Sequence, residues 1–305
     1  MSRVTPRWAL GTARLLAAKT LRRMRGGMAR APIVDPALPR PPLARWRRPL
    51  RLAQVLVASD QNPHYLDCWP LVRRAWREIA GLETVLVLVA AAGEVPEELR
   101  ADPAVLVFEP VAGLHTAFQA QCIRLLYPAL LETDGAVMTS DVDMVPLDRR
   151  YFRRPAGQVD ERHFVSYRDV LLRIGQLPIC YNAALPETWR ELFAIDGLES
   201  LRARLAEWGA GLDYDGVRGG RGWDTDQLIL YRTLLDWGRR TRRAWVLDDR
   251  YTGFRRLERS PLLKHGLTPA DERRIRRGGY SDFHLLHPFH EHAELNERVV
   301  ELAGR

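Results

Sequence analysis

From Leu52 to Ala58 the chain reads LAQVLVA and then turns polar through Ser59-Asp60-Gln61-Asn62-Pro63, the pattern of a buried strand ending in a loop. A helix is expected next, with Asp67 as its N-cap, Pro70 in its first turn, an apolar face of Leu71, Trp76 and Ile79, and Gly81 as its stop. Val85 to Ala90 and Ala104 to Phe108 read as two more buried strands, separated by polar sequence. Thr116 to Leu131 reads as a helix bent or broken at Pro128, and Gly135 to Ser140 as a fourth strand. Strands alternating with helices predict an α/β fold with a mostly parallel central sheet covered on both faces. Ligands of such sheets sit beyond the carboxyl ends of the strands. The polar strand ends at Ser59-Asp60 and Ser140-Asp141 are therefore the places where a site is expected.

Composition narrows the class. With 46% apolar residues, the 305-residue chain can build a sizeable core. Its longest apolar run, Val85 to Ala92, falls far short of the roughly 20 residues a membrane span needs. The three cysteines, Cys68, Cys122 and Cys180, are odd in number and widely spaced, and they read as reduced thiols of a cytoplasmic protein.

The net charge of +8 is unevenly placed. Residues 1 to 51 hold 13 of the 46 basic groups and, among acids, only Asp35, a balance of +12; the remainder holds 33 basic against 37 acidic groups, a balance of −4. The body of the chain is thus not basic, and no nucleic-acid-binding motif accompanies the charge. Ala29 to Pro49, with six prolines, reads as a linker, so that residues 1–50 form a basic arm and the domain spans 51–305. Within the arm, Trp8 to Arg25 is a semi-amphipathic stretch suited to contact with an anionic membrane surface, which predicts a peripheral location at the inner face of a membrane.

The chemistry concentrates at SDVDM, residues 140 to 144. In an extended chain Asp141 and Asp143 point the same way, so both carboxylates can converge on one hard cation, Mn2+ or Mg2+, that neutralises a leaving diphosphate. The same tripeptide occurs at 213/215 and 224/226, but only the first ends an apolar run within the alternating pattern.

Val55 to Leu147, with VLVASDQNPHYLDCWPLVRRAW and FQAQCIRLLYPALLETDGAVMTSDVDMVPL, resembles the nucleotide-binding half of GT-A glycosyltransferases, and the likeness extends more loosely to about residue 290. The resemblance implies a single GT-A domain with a nucleotide-sugar half at 51–150 and an acceptor half at 151–305. It implies donor contacts from Ala58, Ser59, Asp60, Arg124, Asp141 and Asn182. It also implies a carboxylate in GRGWDTDQLILY that takes the acceptor proton in an inverting displacement, Asp226 or failing that Asp224. The usual Glu-Asp pair falls on Asp226 and Gln227, which leaves the choice of acid open. A late histidine is expected to complete the metal shell with Asp141 and Asp143; His287 is the first choice in DFHLLHPFHEH, with His284 and His290 as alternatives. The implied partners are a nucleotide-sugar donor and a saccharide or lipid-linked acceptor, in glycan or envelope polysaccharide synthesis.

Three other readings compete. DVDMV also fits the nucleophile motif of haloacid-dehalogenase-type phosphatases, although Lys264 follows Asp248-Asp249 where that family needs it earlier. Clustered histidines suit zinc, but no cysteine spacing supports such a site. The third reading is a non-catalytic, basic-tailed binding module on the same fold.

Overall fold

In the computed structural model, residues 48–304 are described; the Trp8 to Arg25 stretch and nearly all of the proline-rich linker lie outside them. The described residues begin shortly before Arg51. Leu50 is buried and its N–H donates to Val159 O at 2.9 Å, while Pro49 bridges to Asp160.

The expected strands form. β1 (Leu52–Asp60), β2 (Glu83–Val89), β3 (Val105–Phe108) and β4 (Ala136–Thr139) lie in the order 3-2-1-4, all parallel. Period-two alternation decides which layer each side chain joins. Val55, Val57, Leu86, Leu88, Ala136 and Met138 enter one core, joined by Leu52 across a register shift in β1, whereas Leu56, Ala58, Val87, Val89 and Val137 enter the other. Because both faces are covered, these strands read as continuous apolar runs.

Helix α1 (Trp69–Ala75) continues as a π turn over Trp76–Ala80 and stops at Gly81, whose φ of 64° suits a left-handed cap. Asp67 is not its N-cap. A short preceding helix, Pro63–Leu66, is capped by the Asn62 side chain and ends at Asp67, so the N-cap of α1 falls on Cys68. Helix α2 (Thr116–Leu126) gives way to a 3-10 turn at Tyr127–Leu130, where Pro128 ends regular α-helix as expected.

After β4 the chain leaves the sheet. β5 (Met144–Pro146) is followed by α3 (Arg149–Ala156), then β6 (Phe164–Ser166), β7 (Asn182–Ala184), α4 (Pro186–Phe193), α5 (Leu198–Gly209), α6 (Thr225–Thr241) and β8 (Ala244–Val246). β7 joins β4 antiparallel and carries β6 and then β8, completing a seven-stranded, mostly parallel sheet in the order 3-2-1-4-7-6-8. Residues from both expected halves therefore share one sheet.

The last elements are β9 (Arg256–Leu257), α7 (Pro269–Arg276), β10 (Asp282–His284) and α8 (Ala293–Ala303). β10 pairs with β5 and β9 in a separate three-stranded sheet. No helix among the described residues is long and apolar enough to cross a membrane, and all three cysteines are buried and unpaired.

One glycine guards the register of β4 on β1. A Cβ on Gly135 would lie 2.7 Å from Arg51 O and 2.9 Å from Ala53 Cβ, neither of which yields without moving β1. Gly135→Ala is expected to cost about 1–3 kcal/mol, read as a lowered midpoint in urea with unchanged slope. An unchanged midpoint would show that the strand start is free to shift.

Candidate active site

The order 3-2-1-4 reverses direction at β1, and a cavity of about 440 Å³ opens beyond the ends of β1 and β4. Ala58, Ser59 and Asp60 line it from β1, and Asp141 and Asp143 from the segment after β4. Arg124 reaches it from α2, Asp226 from the start of α6, and His284 from β10.

The two aspartates of SDVDM do not converge. Met144 N–H donates to Asp141 O at 3.2 Å, so the chain turns over Asp141 to Met144 and the alternation of an extended strand does not apply. The Asp141 carboxylate meets Arg124 Nη1, whereas Asp143 turns to the histidines.

Register explains the latter. β5 and β10 are antiparallel with Met144 opposite His284, and Leu285 N–H donates to Asp143 O at 2.9 Å. This pairing seats His284 Nε2 2.6 Å and His287 Nε2 3.0 Å from Asp143 Oδ2. One ligand atom from each of Asp143, His284 and His287 lies within 4.8 Å of the others, a group that can hold a metal ion. Burial opposes ionisation of Asp143, only 5% exposed, yet the two imidazoles hold its carboxyl well below the usual range.

The donor set of one carboxylate and two imidazoles suits a divalent transition ion, Mn2+ included, better than Mg2+. Arg259 Nη2 lies 2.8 Å from His284 Nδ1 and 3.1 Å from its Nε2, against the imidazole ring. The His287 ring stacks on His64, with centroids 4.2 Å apart, while its Nδ1 is buried without a partner. His290 stands apart, exposed beside Glu291.

Arg124 binds the other half of the cavity together. Only 8% exposed, it contacts Asp141 through Nη1 and Asp226 Oδ2 through Nη2 at 3.0 Å. Burial disfavours its charge, but the two carboxylates outweigh that effect and keep it protonated. Asp226, 2% exposed, is pushed up to about 7 by burial, against the pull of Arg124 and of the Gln227 N–H. Asp224 does not line the cavity; its Oδ2 accepts from Gln176 Nε2 at 3.3 Å.

The remaining expected residues divide. Asp60 Oδ2 accepts from Thr116 Oγ1 at 2.9 Å, and its Oδ1 accepts from Asn62 N–H. Asn182 does not reach the cavity. Fully buried in β7, it donates to Pro178 O and Ile179 O at 2.8 and 2.5 Å, and so shapes the Pro178–Cys180 wall from behind.

Several lining residues were not singled out from the sequence, among them Arg168, Arg218, Trp223 and Arg256. Arg168 forks onto Asp249 and Arg256 onto Asp282, with both guanidiniums near the Phe254 ring at 3.6 and 5.4 Å. Arg218 has no ion pair among the described residues. Trp223 belongs to GRGWDTDQ itself, and Arg218 sits in the glycine-rich stretch just before it.

No family model and no curated protein matches the chain. Solved structures similar to it include the galactosyltransferase LgtC in complex with donor and acceptor sugar analogs, at 15% identity over 82% of this chain and 95% of that one, with a TM-score of 0.42. The apo-form glycosyltransferase GlyE of Streptococcus pneumoniae TIGR4 is similar at 12% identity over 82% of this chain and 63% of that one, with a TM-score of 0.44. Mouse xyloside xylosyltransferase 1 is similar at 13% identity over 78% and 98%, with a TM-score of 0.40.

The divergence of the two aspartates makes a distinction measurable by Mn2+ titration with electron paramagnetic resonance. Asp143→Ala and His284→Ala are each expected to weaken Mn2+ binding by at least roughly tenfold, whereas Asp141→Asn leaves it within a few-fold. Equal losses in all three would instead put Asp141 in the metal shell.

Proposed function

We propose that the protein is a metal-dependent glycosyltransferase that takes a nucleotide-sugar donor. The observation that carries this reading is the meeting, in one cavity at the reversal of strand order, of the Asp143, His284 and His287 group with the Arg124-linked carboxylates Asp141 and Asp226. An ion held by the first group, Mn2+ being the best fit to its donors, would supply positive charge where a diphosphate leaves.

The chain's own residues do the rest. Ser59 and Asp60, which line the cavity from the end of β1, are the proposed contacts to the nucleoside, and Arg124 and Arg218 are proposed to meet an anionic donor in the same cavity. Asp226 is the proposed proton acceptor. Of the two acids at the start of α6 it is the one that lines the cavity, and a carboxylate pushed up to about 7 is matched to proton transfer near neutral pH. Its oxygens are engaged by Arg124 and by the Gln227 N–H, but each retains a second lone pair.

The phosphatase reading requires Asp141 free beside a lysine. Asp141 is instead bonded to Arg124, and among the described residues no lysine lines the cavity. The wider proposal includes a saccharide or lipid-linked acceptor and an anionic membrane contact through the arm, supported by the +12 balance of residues 1 to 51. The three unpaired thiols fit a reducing compartment.

Release of nucleoside diphosphate from a panel of nucleotide-sugars, with and without Mn2+, tests the class. Turnover of one donor that chelation abolishes is expected; no turnover of any, or full activity in excess chelator, would overturn the reading.

The pH dependence follows from Asp226. A proton acceptor works only when ionised, so kcat/KM is expected to fall about tenfold per unit as pH drops below about 7. Asp226→Asn should lose transfer and retain donor binding. Retention of anomeric configuration in the product would remove the proton-acceptor role and leave Asp226 as the partner of Arg124.

A further inference from the structure

A second recess, which shares no lining residue with the cavity at the strand ends, encloses about 790 Å³ between α3, the turn at Tyr251 to Gly253, and the segment Gly278 to Ser281. Four guanidiniums line it, those of Arg149, Arg150, Arg153 and Arg154, against the single acid Asp148. That acid is committed. It caps α3 by accepting from Arg150 N–H at 2.9 Å and also takes Arg150 Nε at 3.1 Å.

Arg153 spends its donors on the carbonyls of Ala80 and Gly81, at 3.1 and 2.7 Å. Arg149 and Arg154 are exposed, and neither side chain has a hydrogen bond or ion pair among the described residues. The charge does not stop at the recess. Arg150 Nη2 reaches Arg277 O, which sets the end of α7 beside α3, and α7 and its C-cap add the exposed Arg273, Arg274 and Arg277.

This excess is local, because residues beyond 51 as a whole carry a balance of −4. Crowding of like charge is felt within it: burial, Arg149 and Arg51 together lower the pKa of Arg153. Ion pairing does not explain the cluster, since the described residues supply these arginines with too few acids to neutralise them.

We propose that this recess is an anion site that binds phosphate groups, with Arg149 and Arg154 as the two guanidiniums free to fork onto phosphate oxygens. Planar guanidiniums bind phosphate bidentately, and several converging cations favour a multiply charged ligand over a lone carboxylate. A volume near 790 Å³ holds more than one phosphate, which fits either a soluble polyphosphate or the headgroups of an anionic phospholipid surface. The site stands apart from the transferase reading and does not depend on it.

Hydrogen exchange of the full chain reads the site directly, through residues 149–156 and 273–281. The probes are inorganic pyrophosphate, and phosphatidylcholine vesicles with and without an anionic phospholipid. Protection of both segments is expected with at least one probe. Pyrophosphate alone would identify a soluble ligand, and anionic vesicles alone a headgroup. In Arg149→Ala/Arg154→Ala the affinity should fall roughly tenfold or more, while the charge-matched Arg173→Ala/Lys264→Ala behaves as wild type. No protection of these segments by either probe, or equal affinity in the first double variant and wild type, would overturn the proposal.

Discussion

Arg124 is a full charge in a place where charge is expensive. A guanidinium removed from water is tolerated only when its donors are satisfied and its charge balanced, and here Asp141 and Asp226 do both. The three residues belong to α2, to the segment after β4, and to α6, so one ion-pair chain fixes the relative positions of three elements that share no local sequence. Removing the cation would leave the buried Asp226 and the half-buried Asp141 without their shared counter-ion. Removing either acid would leave part of the guanidinium unpaired, and the geometry of the cavity depends on neither happening.

The three-stranded sheet plays the corresponding part on the other side. Its strands are only two or three residues long, and they bury Met144, Val145, Leu257 and Phe283. Their value is register. A one-residue slip of β10 on β5 would place Phe283, now fully buried, where His284 stands, and would turn the imidazole away from Asp143. The Arg256–Asp282–Tyr181 chain pins that register from within: Tyr181 donates to Asp282 at 2.8 Å while Arg256 forks onto the same carboxylate.

The parallel half of the fold was legible in the sequence because burial on both faces writes unbroken apolar runs between polar loops, as in Leu52 to Ala58 and Val85 to Ala90. β6, β7 and β8 were not, since three residues are too few to show a period. The location of the cavity could be read from the strand ends, and so could the nearness of SDVDM to it. The partners of each aspartate could not. Alternation predicts them only in extended backbone, and the turn at Asp141 to Met144 cancels it. His284 and His287 were both named as candidates, but choosing between them, or taking both, required the pairing of β10 with β5. Asn182 shows the opposite failure: a polar residue beside a turn can serve the backbone of its own loop instead of a ligand.

His284 and His287 lie 141 and 144 residues downstream of the carboxylate they flank. A chain emerging from a ribosome therefore completes the β1–β4 sheet, with Asp143 at its edge, long before either imidazole exists. During that interval Asp143 can neither be charge-balanced by a histidine nor join a three-ligand site, and nearly the whole domain must be made before the constellation closes. Such separation slows assembly, because distant contacts repay their loop entropy last. It also ties the three-residue group to synthesis of β10: a fragment clipped ahead of β10 would keep most of the scaffold and none of the histidine pair.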